Sequence, residues 1–455
     1  MAASFPVTFP STVTTTSTTT LSDASHNSNL HIKDRDEIIA VQTKVGLGTT
    51  NATASGTVAL LGTGGTQSAW GQITNAYIAG TAAIGISKIA SGTKGYGLLA
   101  GASAPLYDNI QRKNVLINGD MLVSQRLAIN SGVVVVDATY QTADRWKMIY
   151  DTGGTAPSTY NSTSFFGSTT GASPNSLCIQ APGTSVGRHG MYQVLEQKDM
   201  MSLRGNVVSL SFLGFTQAGF TDHRAAIIYW VGTGDTGIGS DPVTTWSSLT
   251  SGTPGNASGL SGSWRFANTP SNLGFTAGGG VLKIENVTIP VTATNVAVLI
   301  WCETTTVTFG EFWGITNVQL ERGAVATEFQ SVPAAMSLNI CQRYYFKTFP
   351  QSVTPAQNTG NANGALGYVT QVGGTTAGNG AMLRYPAIMR SSPTVTFFNI
   401  SAANTKWRNV SLGADSATPV TVGPNESGVL VTNAQVAGDL VSHQIMVHLT
   451  ADAEL

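Results

Sequence analysis

Between about Val115 and Phe329, short apolar strings recur between clusters of Gly, Ser, Thr and Pro: Val133–Val136, Tyr192–Leu195, Val207–Phe215, Ala225–Val231, Val281–Ile289, Val296–Cys302 and Phe309–Leu320. Within Val207–Phe212, the residues Val208, Leu210 and Phe212 alternate with Val207, Ser209 and Ser211. That period of two is the signature of a half-buried strand. No helical pattern of comparable length interrupts the series, so 114–332 is expected to be a jelly-roll β-sandwich and not a parallel α/β sheet. A second series follows: Tyr345–Phe349, Leu366–Val372, Met382–Tyr385, Thr394–Ile400, Gly428–Thr432 and Gln444–Leu449. It predicts a small β domain over 333–455, with the step at Pro333-Ala334-Ala335 as the boundary and Pro333–Tyr344 as either a helix or an irregular link.

The pattern upstream is different. Residues 1–27 are Thr- and Ser-rich with little periodicity, and cannot bury enough to fold alone. They read as an extended N-terminal arm that docks on another protein. Residues 28–46 predict one short helix, with Ser28 as N-cap, Asp34, Asp36 and Glu37 early, Lys44 late and Gly46 beyond the end. Leu30, Ile38, Val41 and Val45 form its apolar stripe. Helix nucleation is too costly for so short a stripe to hold by itself, so it fits a small coiled coil between identical chains. A surface helix packed on its own domain is the alternative. Residues 47–113 are Gly/Ala/Thr-rich with isolated apolar positions such as Leu60, Trp70 and Ile84. They read as a stalk in which copies wrap round one narrow core.

Composition narrows the partners. Of the 455 residues only 10% are charged, with a formal net charge of −1, against about 25% charged in an ordinary domain. No basic face is available to hold nucleic acid through counterion release. The 42% of hydrophobic residues exclude wholesale disorder. The first basic residue is Lys33, so no secretory leader is expected. The most apolar run, Val296–Cys302, is far short of the roughly 20 residues of a membrane span, so no membrane insertion is expected. Cys178, Cys302 and Cys341 are odd in number and widely spaced, which suits buried thiols in a protein made in a reducing cytosol.

Several strings resemble chemical motifs. Gly232-Thr233-Gly234-Asp235-Thr236-Gly237 matches G-x-G-x-x-G after a strand, but no helix opens behind it and no acid follows between Asp241 and Glu285. Gly183-Thr184-Ser185-Val186-Gly187 matches G-x-S-x-G, yet Pro182 precedes it and a strand-like string follows, so the strand–turn–helix of a nucleophile elbow is missing. The six histidines show no zinc spacing. Asp235 and Asp241 in a Gly-rich loop could ligate Ca²⁺ through oxygen, but a solvated turn is the favoured reading of them. Glu303, Glu311, Glu321 and Glu328 lie near one another in sequence, but sequence cannot place two acids across a glycosidic bond. No catalytic residue, metal or cofactor is therefore expected. Trp246 and Trp264, in a long polar stretch between strands, are the candidate glycan-binding residues, because indole offers a flat apolar face with an N–H donor. Capping the end of the sandwich core is their alternative role. Trp146, Trp301 and Trp313 lie in strand-like strings and are expected in the core.

Longer strings carry a family resemblance. Asn114–Arg126 (NVLINGDMLVSQR), Ala143–Trp146 (ADRW), Asn317–Phe329 (NVQLERGAVATEF), Leu338–Phe346 (LNICQRYYF), Pro386–Thr394 (PAIMRSSPT) and Leu449–Leu455 (LTADAEL) resemble phage tail-fibre and related virion-fibre proteins. In those proteins a carbohydrate-binding-module-like jelly roll is followed by a C-terminal β domain. The stretch from His26 through Gly46 and beyond is similar to their trimerising helix and stalk. The resemblance implies a homotrimeric virion component, held to a tail or capsid protein by its arm and exposing β domains that bind a host-surface glycan. It carries over no catalytic residue. A structural capsid fibre without a receptor role and a glycan-cleaving tailspike are the alternatives.

Overall fold

The computed structural model describes residues 113–163, 171–370, 380–432 and 441–455, together with the backbone of a hairpin, β1 (Tyr96–Ala100) and β2 (Pro105–Asn109). All of them belong to one unit, Thr93–Leu455. The arm, the short helix with Leu30, Ile38, Val41 and Val45, and most of the stalk lie outside the described residues.

Thirteen further strands build the larger β region. They are β3 (Gly132–Val134), β4 (Thr139–Tyr140), β5 (Lys147–Tyr150), β6 (Ser158–Ser162), β7 (Ser176–Gln180), β8 (His189–Val194) and β9 (Val207–Thr216). β10 (His223–Trp230), β11 (Trp264–Phe266), β12 (Asn272–Leu273), β13 (Gly280–Thr288), β14 (Asn295–Cys302) and β15 (Phe312–Arg322) complete it. One sheet runs β11–β10–β14–β8–β5–β4, with β12 also on β10; the other runs β13–β9–β15–β7–β6–β3. From β7 to β10, and again from β13 to β15, successive strands alternate between the sheets, which is how a jelly roll is wound. The protein is a mainly β, antiparallel jelly-roll sandwich in this region, as the short alternating strings predict.

The core lies where the alternation points. Val208, Leu210 and Phe212 of β9 face Ala225 and Ile227 of β10 and Val296, Val298 and Ile300 of β14. Trp146, Trp301 and Trp313 are fully buried. Two histidines sit between the sheets. Trp313 Nε1 donates to His189 Nε2 at 2.9 Å, and His189 Nδ1 lies 2.6 Å from Gly187 O, which fixes a neutral ring with its proton on Nδ1. His223 stacks on Phe275 at 4.1 Å between ring centroids. Burial lowers the pKa of His189 to about 4 and that of His223 to about 3. The three cysteines are buried free thiols.

Past Pro333, residues Ala334–Gln342 are helical, so of the two readings of that link the helical one is observed. Nine strands follow: β16 (Tyr345–Lys347), β17 (Leu366–Val369), β18 (Ala381–Arg384), β19 (Thr394–Phe398), β20 (Arg408–Asn409), β21 (Ala414–Asp415), β22 (Val420–Asn425), β23 (Gly428–Thr432) and β24 (Gln444–Asp452). β24 is central, pairing with β16, β17, β19 and β20. Its Ile445, Val447, Leu449 and Ala451 meet Trp407, Val429 and Val431 in a separate small core. The three strands outside that sheet form one of their own, β18–β23–β22. No helix of the described residues is long and apolar enough to cross a membrane.

Candidate functional site

The outward face of β13–β9–β15 carries a groove of about 600 Å³. A backbone irregularity creates it. Trp313 and Ile315 of β15 point inward, and strict alternation would send Asn317 inward as well. A bulge between Thr316 and Gln319, with Asn317 at φ 51°, shifts the phase so that Val318 and Leu320 fill the core instead. One extra residue thus turns Asn317, Gln319 and Glu321 outward. Asn317 then accepts from Ser173 N at 3.0 Å and donates to Gly171 O at 2.7 Å, which fixes one wall.

The opposite wall is the segment Ala326–Phe329, returning over the sheet. Glu321 accepts from Thr327 N at 2.7 Å and from its hydroxyl. Gln319 donates to Glu328 O at 3.2 Å and accepts from Gln330 N at 2.8 Å. From β13, Glu285 accepts from Ala326 N at 2.8 Å. The floor follows from strand register: Leu213 lies opposite Val281 and Ser211 opposite Lys283. The groove therefore joins an apolar strip (Leu213, Val281 and Phe329) to polar groups (Ser211, Lys283, Asn317 and Glu328). An open trough of this kind, with several hydrogen-bonding groups beside an apolar strip, suits an extended polar ligand.

Trp246 and Trp264 lie elsewhere. The outward face of the other sheet is apolar, with Ile149, Tyr192, Val194, Ala226, Ile228, Ala297, Leu299 and Trp301. The loop between β10 and β11 folds back over it and inserts Ile238, Val243, Trp246, Leu249 and Leu260. Trp246 is 6% exposed and Trp264 1%. Trp264 also packs edge-on against Trp230 at 5.3 Å. Neither indole has an open face, because the apolar sheet beneath needs a cover and both join Ile238, Val243, Leu249 and Leu260 in supplying it. The role of core cap describes both.

The remaining motif residues are also internal ties. The string Gly232–Gly237 is a loop in which Asp235 accepts from Gln197 N at 2.9 Å and Asn295 Nδ2 at 2.7 Å. Asp241 instead neighbours Asp137; burial first, then Asp137, raises its pKa to about 7. Among the described residues no three His, Cys, Asp or Glu side chains gather as a metal site would require. Of the four glutamates, Glu303 accepts from Arg188 and from Trp301 at 2.7 Å, Glu321 is taken up by Thr327, and Glu328 lines the groove.

A second cluster of titratable groups is buried where the two cores adjoin. Arg145 pairs with Glu454, and Arg126 reaches Glu454 at 3.3 Å and Asp452 at 3.1 Å. The Tyr345 ring covers Arg126 at 3.8 Å and the Tyr344 ring covers Arg145 at 3.6 Å. Gln125 joins Asp144 to Tyr345 O, and Lys147 donates to Leu455 O at 3.0 Å. Burial lifts the pKa of Asp144 to about 6, with Arg126 opposing, and lowers that of Lys147 to about 8. The sequence strings SQR, DRW, RYY and DAEL thus meet in one place. Their charges are spent on each other, and the cluster fastens the C-terminal β region to the sandwich.

No family model matches the chain, and no curated protein matches it. Among solved structures it is similar to the enzymatically active domain of tailspike protein 4 of bacteriophage CBA120, at 12% identity over 48% of this chain and 23% of that one, with a TM-score of 0.27. The chain thus spans about a quarter of that tailspike structure. It is similar to the C-terminal family 22 carbohydrate-binding module of Clostridium thermocellum Xyn10B, at 14% identity over 40% of this chain and 89% of that one, with a TM-score of 0.25. It is also similar to a xylan-binding domain of Paenibacillus barcinonensis Xyn10C, at 11% identity over 44% of this chain and 100% of that one, with a TM-score of 0.24.

Proposed function

We propose that this chain is a phage virion fibre protein, a tail fibre that assembles as a homotrimer, attaches by its N-terminal arm and binds a host-surface glycan through its β domains. The observation that carries the glycan reading is the groove on β13–β9–β15. Its wall is Ala326–Phe329, part of the closing string Asn317–Phe329 on which the fibre resemblance rests. Gln319 and Glu321 of that string hold the wall in place. The resemblance and the groove therefore converge on the same residues. Binding is the chemistry this reading favours, supported by the commitment of Glu321 to Thr327 and of Glu303 to Arg188 and Trp301, while Glu328 lines the groove as a polar contact. Three copies would turn weak sugar contacts into useful avidity. The virion is the proposed location.

The test is adsorption of the full chain to host cells before and after periodate oxidation of surface glycans. Binding that disappears on oxidation is expected. Binding that survives it moves the receptor to protein. No binding at all leaves the structural capsid fibre. Release of reducing ends from host polysaccharide would instead make the protein a glycan-cleaving spike.

A further inference from the structure

We propose that the outward face of the three-stranded sheet β18–β23–β22 is where one copy of this chain packs against the next. This rests on the oligomeric reading above and adds the place of contact. On the inward face of that sheet, Leu383, Val429 and Val431 join the small core. On the other face, Met382, Leu430 and Val422 stand directly opposite one another across the three strands, with Val420 two residues further along. Met382 is 53% exposed, and Val420 and Val422 are each 49% exposed. The solvent face of an antiparallel sheet is ordinarily polar, so a cluster of large apolar side chains there marks a contact surface. β14 of the sandwich is apolar on both faces, and both of its covers lie within the chain. Among the described residues, nothing covers the outward face of β18–β23–β22.

The form of the sheet selects the occupant. Among the described residues β22 is an edge strand, and it is interrupted by a bulge between Val422 and Asn425, with Gly423 at φ 55° and Pro424 beside it. Such features block addition of a further strand, so the face is what remains to be covered. Arg384 continues the Met382 row, and Glu426 sits in the β22–β23 turn. Both are exposed. The ion pairs formed among the described residues include neither of them. A cation on the β18 side and an anion on the β22 side give the patch two unlike edges. A second copy, rotated about an axis, sets its Glu426 against the first copy's Arg384, and unlike surfaces that meet head to tail close into a ring.

The experiment uses the full chain carrying Met382→Cys and Val422→Cys together. The two positions are separated by the intervening β23, so their Cα atoms stand roughly 9–10 Å apart, too far for an intrachain bridge. Cys178, Cys302 and Cys341 are buried and add no background. After mild oxidation, in which each pair of thiols gives up two protons and two electrons to the added oxidant, a denaturing gel is expected to show most chains cross-linked. A single cysteine at Val291, 72% exposed on the sandwich, is expected to leave them single. Sedimentation of the same sample counts the copies. An oligomer without cross-links overturns the proposed face and leaves the oligomeric reading standing. A monomer overturns both.

Discussion

On the outward face of β10–β14–β8, the side chains are Ala226, Ile228, Ala297, Leu299, Trp301, Tyr192 and Val194; on that of β9–β15, they include Ser209, Ser211, Thr316, Gln319 and Glu321. Both faces belong to one sandwich and share its inner core. The first has become a second core, closed by the β10–β11 loop. The second keeps polar side chains that hold two short segments apart and leaves a trough between them. A chain poor in charge still makes this distinction with Ser, Thr, Asn and Gln. The difference lies in which alternate residues are apolar, and it decides where a ligand can reach the protein.

The covered face is the place to expect the largest effects. Trp264→Ala removes a fully buried indole and its contact with Trp230. A loss of about 3–5 kcal/mol in denaturant unfolding is expected, as for other large-to-small core changes. A loss under about 1 kcal/mol would show that the loop is not a true cover. Leu455 packs at the rim of the same core, and Glu454 beside it holds Arg126 and Arg145. Glu454→Gln leaves two buried guanidinium groups short of an anion, so about 3 kcal/mol is expected to be lost. Asp452→Asn, at a side chain 43% exposed, is expected to cost under about 1 kcal/mol. Equal losses in the two variants would remove Glu454 from its central place.

The interior shared by both faces supplies a pH test of intermediate size. His223 has a native pKa of about 3, set mainly by burial and secondarily by His189, against about 6.5 when unfolded. Between those values the unfolded chain binds a proton that the native chain does not, so stability falls as pH falls through the window, by about 1.4 kcal/mol per unit. Asp144 acts in the opposite direction, since its native pKa of about 6 lies above that of an unfolded Asp. Comparison with His223→Phe cancels that opposing share, which is present in both proteins. The variant is expected to gain about 2–3 kcal/mol over wild type at pH 4.5, relative to their difference at pH 8. Parallel stability curves from pH 8 to pH 4.5 would mean that His223 is charged in the native protein.

Sequence pattern reached the sandwich because its strands alternate over several residues, as Val207–Phe212 does. It identified Trp146, Trp301 and Trp313 as core because they stand in such strings. It could not separate the two outward faces. Whether Trp246 and Trp264 lie on a surface or under a loop depends on what the long β10–β11 connection covers, and that is a tertiary fact. The groove was hidden for a different reason. The bulge at Asn317 breaks the period of two, so Val318-Gln319-Leu320-Glu321 gives its facing only after the shift is known. The usable signal was the closing string itself, whose Gln319, Glu321 and Thr327 all prove to build the wall. The junction was equally opaque, since Arg126, Arg145 and Glu454 are far apart in sequence and meet only in the fold.

The smallest structural effect should accompany the largest functional one. Val281 and Lys283 lie on the floor of the groove, one exposed at 61% and the other with a side chain 44% exposed. Val281→Ser and Lys283→Ala together remove apolar contact area and a hydrogen-bond donor from the trough; they give up the long Lys283 bond to Ala326 O at 3.4 Å but keep the ties that Gln319, Glu321 and Glu285 make to the wall. Stability is expected to change by no more than about 0.5 kcal/mol at such exposed positions. Glycan-dependent adsorption is expected to weaken about tenfold per site, which corresponds to about 1.4 kcal/mol. Trp264→Phe serves as the opposing control: it disturbs the covered face, and its adsorption should match wild type at temperatures where it stays folded. If the groove variant adsorbs as wild type does and Trp264→Phe does not, the functional roles of the two outward faces are reversed, and the ligand enters beneath the β10–β11 loop.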